Sequence, residues 1–401
     1  MRGRFKNLLN YSMNCIQRYK VRTIVILVCL TMSASVFSSV AFMKDGLTKE
    51  GELSLKYAPD ITVQGISAGR QAFIDTSYLD YIRGVPGVTA VSQRIWGYGN
   101  VGNTLLVIVG VDWENETISP AQVYPIESGS FINKQDRNMV VIGKAVADLL
   151  GAKVGSILTI LTESNQVRQY TVKGIFNSES SIYNADMILM NIQDARAFFN
   201  VPDGKITDLT VYIIKGDSSD KALTLLNFVA REVSSLPSVR VLTKDVLLKA
   251  QETTYGMRSG FFSVVWYIVL ITVAIVAFNQ TVVVGHESKF EVGLLKALGF
   301  STTDVIQVRL IESAVLGTLA GSMGVTFGIL YDTVLNAPVL KDFMLGWATL
   351  YPNFTVPTFI SPQTIFLTYA ITIVPLLFAT VIPSWLNATV DPDIAMRGAR
   401  A

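Results

Sequence analysis

The sequence contains few of the residues on which enzyme and metal sites depend. One histidine, His286, and two cysteines, Cys15 and Cys29, occur in 401 residues. The cysteines lie near the N-terminus and form no CxxC pair, which excludes a redox motif and leaves no disulfide framework for the rest of the chain. With no histidine between residues 45 and 257, a Ser-His or Cys-His nucleophile system is excluded there.

Charged residues are also scarce. They make up 16% of the chain, whereas soluble domains contain about a quarter, and half of the residues are apolar. The mean hydropathy is +0.42. The net charge of +2 is too small to imply a nucleic-acid partner. The composition therefore indicates an integral membrane protein.

No ATP site is found either. The two Gly-Lys pairs, at Gly143-Lys144 and Gly204-Lys205, are followed by alanine and isoleucine. A P-loop needs a serine or threonine after the lysine, to hold Mg²⁺, and glycines upstream of it. We therefore expect this chain to bind no cofactor, and expect any ATP and Mg²⁺ to be held by another chain.

Four apolar stretches are long enough to cross a bilayer core of about 30 Å as helices. They are Thr23–Met43, Phe261–Val284, Ser313–Tyr331 and Ile365–Trp385. The sequence therefore predicts a polytopic α-helical membrane protein with four transmembrane helices. A domain of about two hundred residues is inserted between helices 1 and 2.

The distribution of basic residues predicts the orientation. The first 22 residues contain six Lys or Arg and no acid, so we expect them to stay in the cytoplasm. The inserted domain is then extracytoplasmic and the C-terminus cytoplasmic, in a cell (inner) membrane. Cleavage of the first span as a signal peptide near Ser39 and Ala41 is the alternative.

This layout divides the chain into nine segments. They are a cytoplasmic amphipathic helix over 1–22; transmembrane helices over 23–44, 258–285, 306–331 and 363–386; an extracytoplasmic α+β domain over 45–257; a cytoplasmic loop over 286–305; an extracytoplasmic loop over 332–362; and a cytoplasmic tail over 387–401.

The segment before the first span has apolar residues at helical spacing. They are Phe5, Leu8, Leu9, Ser12, Met13 and Ile16, the polar Ser12 lying among them. One interpretation is an amphipathic helix lying along the inner membrane face. The other is that these residues form the first turns of one long first helix.

The inserted segment alternates strand-like and helix-like runs, which predicts an α+β domain. Helices are expected at Ser77–Arg83, at Lys144–Leu150 and at Asp220–Leu236, the last with Ser219 as N-cap and an apolar face containing Phe228. Runs rich in valine and isoleucine predict strands at Asp60–Val63, Leu105–Val109, Met139–Ile142, Ile157–Leu161, Tyr170–Phe176, Met187–Met190 and Leu209–Ile214.

The loop after the second span predicts a short amphipathic helix that Gly299 ends. Phe290, Leu294 and Leu298 fall on one face of it. Ser301 and Asp304 then form a capping-box-like start for the next helix. Two interpretations stay open: a rigid element that receives force from a cytoplasmic partner, or a helix that lies on the membrane.

The third span carries a stripe of four glycines on one helix face, a pattern that lets another helix approach closely. These are Gly317, Gly321, Gly324 and Gly328. Glu312, near the cytoplasmic end of this span, is expected to pair with Arg309. Pro375 and Pro383 are expected to kink or end the fourth span.

These features together resemble a known family. The run from Glu291 to Gly299, the glycine stripe and the ending Asp391–Arg397 resemble MacB/FtsX-type (type VII) ABC transporter permeases. Four short sequence stretches of the inserted segment are similar to the family's MacB-type periplasmic core. They are Ser128–Phe131, Val140–Ala147, Gly151–Gly155 and Tyr170–Phe176.

The resemblance implies a mechanism and partners. Such permeases work as dimers, so a second permease is expected, identical or paralogous, above two copies of an ABC ATPase subunit. With 22 residues before the first span, the ATPase is expected on a separate chain. ATP-driven closure would move the extracytoplasmic domains by mechanotransmission, and a periplasmic adaptor is a further expected partner. The implied coupling helix contains Glu287, Phe290, Glu291, Leu294, Leu295, Lys296, Leu298 and Gly299.

Three functions stay open at the level of sequence. The first is a non-catalytic permease subunit that exports or extrudes lipoproteins, peptides or drugs. The second is an FtsX-like transmitter that regulates a cell-envelope hydrolase without transport. The third is a membrane-anchored receptor or adhesion module, for which the helix that ends at Gly299 would have no purpose.

Overall fold

The computed structural model describes residues 2–56, 58–102, 104–112, 123–162, 166–214, 219–250, 299–341 and 357–388, with isolated positions between 252 and 296. The chain forms two compact units. The first comprises Met1–Leu47, Tyr255–Leu345 and Thr358–Ala401, and the second comprises Thr48–Thr254 and Gly346–Pro357.

The described helices and strands have the following bounds. The helices are α1 (Arg2–Arg18), α2 (Lys20–Leu55), α3 (Tyr78–Arg83), α4 (Lys144–Leu150), α5 (Ser181–Asp186), α6 (Ile192–Phe198), α7 (Ser219–Ser234), α8 (Thr302–Thr333) and α9 (Pro362–Ala388), with a further helix over 244–250. The strands are β1 (Ile61–Ser67), β2 (Arg70–Ala72), β3 (Ile74–Asp75), β4 (Val88–Val101), β5 (Thr104–Val111), β6 (Ile126–Gly129), β7 (Met139–Gly143), β8 (Ile157–Leu161), β9 (Val167–Phe176), β10 (Met187–Asn191), β11 (Lys205–Ile206), β12 (Asp208–Ile213) and β13 (Val239–Thr243).

Three described helices are long and apolar enough to cross a membrane. They are Thr23–Leu55 within α2, all of α8, and Pro362–Val381 within α9. They correspond to the first, third and fourth predicted spans. The predicted second span, 258–285, lies mostly outside the described residues, so the count of four stays a prediction.

Helix α2 is much longer than the apolar stretch from which it was predicted. It has 36 residues, which at ~1.5 Å each gives about 54 Å. A bilayer core takes up about 30 Å of that length. The charged segment from Lys44 to Glu52 ends the apolar run without ending the helix, because Lys, Glu and Leu are good helix formers.

Helix α1 is a separate element that joins α2 at one non-helical residue, Tyr19. Hydrogen bonds from Tyr19 N to Cys15 O (3.1 Å) and from Thr23 N to Tyr19 O (3.0 Å) continue across the junction. Leu8 and Cys15 on α1 are buried. Leu9 and Met13, also assigned to the apolar face, are 36% and 38% exposed.

Helices α8 and α9 complete the described part of the first unit. The predicted capping box at the start of α8 is confirmed: Asp304 N donates to the Ser301 hydroxyl, and Ser301 N donates to the Asp304 carboxylate. Helix α9 continues through Pro375 and Pro383 to Ala388, so neither proline ends it. Prolines are tolerated in apolar helices where the surroundings compensate for the missing hydrogen bond.

The second unit is built on one mixed sheet of eleven strands. Its main path is β13-β1-β12-β4-β5-β10-β7-β9-β6, with β2 and β8 beside it. The β5–β10 and β7–β9 pairs are parallel, and the others are antiparallel. The sheet and its helices form the expected mixed α and β domain. Its core includes Ile61, Val63, Ile95, Ile108 and Ile188.

The helices predicted in this domain are largely correct. Lys144–Leu150 has the predicted bounds, and Gly151 follows it with the left-handed φ of 61° that favours glycine. On α7, Val229 and Val233 are fully buried. The placement of Phe228 on that buried face is wrong, since its side chain is 45% exposed. Val229 and Val233 are one helical turn apart and share the buried face, whereas Phe228 is adjacent to Val229 and lies beside that face.

Candidate functional site

The predicted coupling loop is described only where it ends. Lys296 is helical, and Gly299 has a φ of 93°, which suits a helix end at a glycine. The other predicted residues of this helix lie outside the described residues: Glu287, Phe290, Glu291, Leu294, Leu295 and Leu298.

Helix α1 packs against the first turns of α8. The Ser12 hydroxyl, fully buried, lies 3.0 Å from the carbonyl oxygen of Val308 and 2.9 Å from that of Leu8. On α8, Arg309 donates to Glu312 at 2.7 Å, which confirms the predicted local partner of this acid. Their side chains are 17% and 5% exposed. The beginning of α8 is therefore fixed by a cap, a helix contact and a buried ion pair.

The glycine stripe of α8 brings this helix close to two others. A Cβ added at Gly317 or Gly321 would lie no farther than 3.0 Å from Ile373 or Tyr369 of α9. Gly324 and Gly328 instead face α2, where Ala34 and Ser38 would lie closer still to an added Cβ. One face of α8 therefore packs against α9 along one half and against α2 along the other.

Farther along α2, polar side chains form hydrogen bonds with α8 and with the start of α9. The Asp45 carboxylate accepts hydrogen bonds from the hydroxyls of Ser361 and Thr364, both at 2.7 Å, at the start of α9. The Ser39 hydroxyl donates to Asp332 of α8 at 2.5 Å. Ser39 and Asp45 thus hydrogen-bond α2 to α8 and to the start of α9 within the first unit.

The last turns of α2 belong to the second unit, where two hydrogen bonds fix them. The Ser180 hydroxyl donates to the Glu50 carboxylate at 2.9 Å, and the Tyr183 hydroxyl donates to the Ser54 carbonyl oxygen at 2.5 Å. We call these two contacts, Glu50–Ser180 and Ser54–Tyr183, the stalk clamp. Burial raises the pKa of the Tyr183 hydroxyl, which keeps it protonated as a donor.

Backbone carbonyl groups at the end of α2 have hydrogen-bond partners outside the helix. The last four carbonyl groups of a helix have no partner within it. Here Leu53 O accepts from Lys56 N and Leu55 O accepts from Ala58 N, both at 3.1 Å. Tyr183 supplies the donor for the carbonyl between them, so the chain leaves α2 in a defined direction.

A buried ion pair joins two central strands of the same unit. Arg94 on β4 donates through Nε and Nη2 to the two carboxylate oxygens of Asp208 on β12, both at 2.8 Å. The indole Nε1 of Trp96 donates to the same carboxylate at 2.8 Å. Asp208 is fully buried, and the Arg94 side chain is 34% exposed. Such a bidentate pair fixes geometry as well as charge.

No group of three or more His, Cys, Asp or Glu residues with metal-binding geometry occurs in the part of the chain that the structure describes. Helix α2 packs closely against α8 near its middle, and its last turns are hydrogen-bonded within the mixed-sheet domain.

Long apolar helices and a mixed-sheet domain inserted after the first of them define a membrane protein with an extracytoplasmic domain. Two family models match the sequence: the MacB-like periplasmic core domain over residues 23–227 and the FtsX-like permease C-terminal domain over residues 263–392. The chain belongs to the ABC transporter permeases of the MacB, LolC and FtsX type.

The chain spans about half the length of the curated relatives it matches. The chain is 27% identical over 217 residues to an uncharacterized ABC transporter permease of Methanocaldococcus jannaschii, which covers 53% of each protein. It is 24% identical over 218 residues to the lipoprotein-releasing system transmembrane protein LolC of Neisseria meningitidis serogroup B, covering 48% of this chain and 47% of LolC.

Among solved structures, the chain is similar to the periplasmic region of MacB from Actinobacillus actinomycetemcomitans. The identity is 14% and the TM-score is 0.34, over 48% of this chain and 92% of that one. The extracellular domain of the ABC-type transporter YknZ from Gram-positive bacteria matches with 14% identity and a TM-score of 0.33, over 46% of this chain and 99% of that domain.

Proposed function

We propose that the chain is the non-catalytic permease subunit of an exporter or extruder driven by mechanotransmission. A separate ATPase subunit, present in two copies, hydrolyses ATP, and helix α2 passes the resulting movement to the extracytoplasmic domain. The observation that carries this proposal is that α2 is one helix from Lys20 to Leu55, with its end held in the domain by the stalk clamp.

The length and contacts of α2 support its role as a transmitting element. About 24 Å of its length exceeds the hydrocarbon core, so the same helix spans the bilayer and extends beyond it. Close glycine contacts from α8 hold its middle part, and the clamp holds its end. A displacement of the packed part therefore reaches the domain without passing through a loop.

The proposed input is the helix over residues 287–299. Its end at Gly299 leads directly into the capped start of α8, against which α1 packs. A push on this helix would be received by α8 and, through the glycine stripe, by α2. The proposal includes four spans, cytoplasmic termini, an identical or paralogous second permease and a periplasmic adaptor as an accessory partner.

The substrate is proposed only as a class. Relatives are named as a lipoprotein-releasing protein and as a macrolide exporter, MacB of Salmonella typhimurium, which is 27% identical over 35% of this chain. Their names refer to lipoproteins and to macrolides. We therefore propose that this chain handles cargo of that kind at the extracytoplasmic face of the membrane.

The test is co-purification of the chain with the ABC ATPase encoded beside it, followed by ATPase and transport assays in lipid vesicles. Glu291→Lys and Leu295→Asp should abolish co-purification or coupled ATPase activity. Glu52→Lys, a charge reversal at an exposed position of α2, is the matched control and should retain both. Intact coupling in both coupling-helix variants would overturn the proposal. ATP-driven domain movement without substrate transport would support the FtsX-like transmitter instead.

A further inference from the structure

The inserted domain contains a cavity of about 230 Å³ against the middle of its sheet. Five neighbouring strands form its floor, contributing for example Thr62 of β1, Arg94 of β4, Leu189 of β10 and Thr210 of β12. An engineered apolar cavity of about 150 Å³ binds benzene, whereas drug-sized ligands occupy roughly 300–1,000 Å³. The volume therefore suits a molecule with one ring.

The walls of the cavity come from the two ends of the inserted domain. Leu55 ends α2, Ala58 and Pro59 follow it, and Leu247 lies on the helix over 244–250 that leads out of the domain. Tyr183 of the stalk clamp also lines the cavity. A ligand here would touch the sheet and both chain segments that connect the domain to the rest of the protein.

The lining combines aromatic rings with hydrogen-bonding groups. Tyr124, Tyr183 and Tyr212 lie in the lining, and so do the hydroxyl-bearing residues Thr62, Ser92 and Thr210. Arg94 is the one Lys, Arg, Asp or Glu among the described residues of the lining. Two of the five N–H donors of the Arg94 guanidinium are bound by the Asp208 carboxylate. The Arg94 side chain is 34% exposed and lines the cavity, so its guanidinium can donate to a neutral acceptor such as a carbonyl oxygen.

The charge of the site selects against ions. Arg94 is already neutralised by Asp208 behind it, so an anion entering the cavity would gain little attraction, and a cation would meet the exposed side of a guanidinium. Transferring an unpaired charge out of water is costly, whereas a neutral polar group needs only its hydrogen bond.

We propose that this cavity is a binding site for an uncharged molecule that has one aromatic ring and a carbonyl acceptor. The ring packs among the tyrosines and the apolar residues, and the carbonyl oxygen accepts from Arg94. The proposal goes beyond ATP-driven coupling and does not depend on it, because binding is measured without the ATPase.

Three isosteric probes test the chemistry: benzamide, benzoate and benzamidinium. Their binding to the full chain in lipid nanodiscs is measured by ligand-observed NMR, which suits the affinity on the order of millimolar that so small a ligand can reach. Benzamide should bind saturably, and both ions should bind at least about tenfold more weakly. Equal binding of all three, or no saturable binding of benzamide, would overturn the proposal.

Two tryptophan substitutions test the location. Ala58→Trp places a large ring in the cavity and should weaken benzamide binding by about tenfold or more. Ala145→Trp, on α4 and outside the lining, should leave binding unchanged. Thermal unfolding checks that each variant is folded, and Leu247→Trp replaces Ala58→Trp if the latter is not. Unchanged binding in a folded cavity variant contradicts the proposed site.

Discussion

The hydroxyl of Tyr183 donates a hydrogen bond to the backbone carbonyl oxygen of Ser54, 129 residues away in the sequence. The acceptor is one of the carbonyl groups that a helix end leaves without a partner. A side chain of the extracytoplasmic domain therefore completes the end of α2. With Ser180 and Glu50, this contact makes the helix end a fixed part of the domain.

Removing this hydroxyl should loosen the end of α2 selectively. In Tyr183→Phe, the Ser54 carbonyl loses its donor, which should lower local stability by about 1 kcal/mol. Hydrogen exchange followed by mass spectrometry should show faster exchange of the backbone amides in residues 50–58. Tyr98→Phe, at a tyrosine that is 42% exposed, is the control and should leave that exchange unchanged. Equal protection in both variants would show that the clamp does not stabilise the helix end.

The glycine stripe should be sensitive to added side chains. A leucine at Gly324 would overlap Ala34 of α2, and overpacking of this kind costs roughly 1–3 kcal/mol. Gly324→Leu should therefore lower the thermal unfolding midpoint of the purified protein in detergent. Thr326→Leu adds bulk to an exposed position of the same helix and serves as the control. A stability loss of the same size in both would contradict close packing at the stripe.

The Arg94–Asp208 pair should matter less than a completely buried pair. Removing one partner of a buried pair costs about 3–5 kcal/mol. Because a third of the Arg94 side chain is exposed, water can solvate the unpaired guanidinium, and we expect about 2 kcal/mol for Asp208→Asn in denaturant unfolding. Trp96→Phe, which removes the indole donor together with part of the ring, should cost about 1 kcal/mol. A larger loss for Trp96→Phe than for Asp208→Asn would contradict this ranking.

Asp75 should contribute to acid sensitivity. A hydrogen bond from the Ser77 backbone N–H, helped by the Ser77 side chain and by Lys205, lowers the pKa of Asp75 from 3.8 to about 2. Since the folded-state pKa lies below the ordinary value, the carboxylate stabilises the fold above pH 3.8, and this contribution is lost as the pH falls through about 2. The unfolding free energy of Asp75→Asn should therefore fall less steeply than that of the native protein in this pH window. Identical slopes would contradict the assignment.

Local chemistry made some elements predictable from sequence. The capping box at Ser301 and Asp304 and the helix Lys144–Leu150 depend on residues within a few positions of each other, and the structure has both. The end of α2 was missed by eleven residues, because hydropathy detects where a helix leaves an apolar environment and not where it ends.

The longest strand was also missed, for a physical reason. Strand β4, Val88–Val101, contains Arg94, Gly97 and Gly99 and has no continuous run of β-branched residues. The glycines are explained only by the fold, because the side chain of Phe199 packs over Gly97 and those of Ile108 and Phe198 over Gly99. Long-range packing of this kind leaves no pattern in the strand itself.

The contacts of the candidate site are the least predictable from sequence. Arg94 and Asp208 are 114 residues apart, and their pairing follows from the register of β4 against β12. The stalk clamp joins residues about 130 positions apart. The glycine stripe was visible as one face of a helix, but its division between α9 and α2 is set by tertiary packing.

Transmission through an unbroken α2 is the central claim, and a break at one exposed position tests it. Lys49 lies between the apolar part of α2 and the clamp, and its ion pair with Glu52 is exposed and weak. Lys49→Pro removes a helical hydrogen bond, at a cost of about 3 kcal/mol, and breaks or kinks the helix. Lys49→Ala removes the same ion pair and keeps the helix, so it is the matched control.

In the proposed complex of two permeases with the ATPase, the measurement is the distance between spin labels placed at Tyr98 of the two inserted domains, with and without trapped ATP. We predict that the distance changes with ATP in the native protein and in Lys49→Ala, and does not change in Lys49→Pro although the ATPase remains bound. An equal ATP-dependent change in Lys49→Pro would contradict the account.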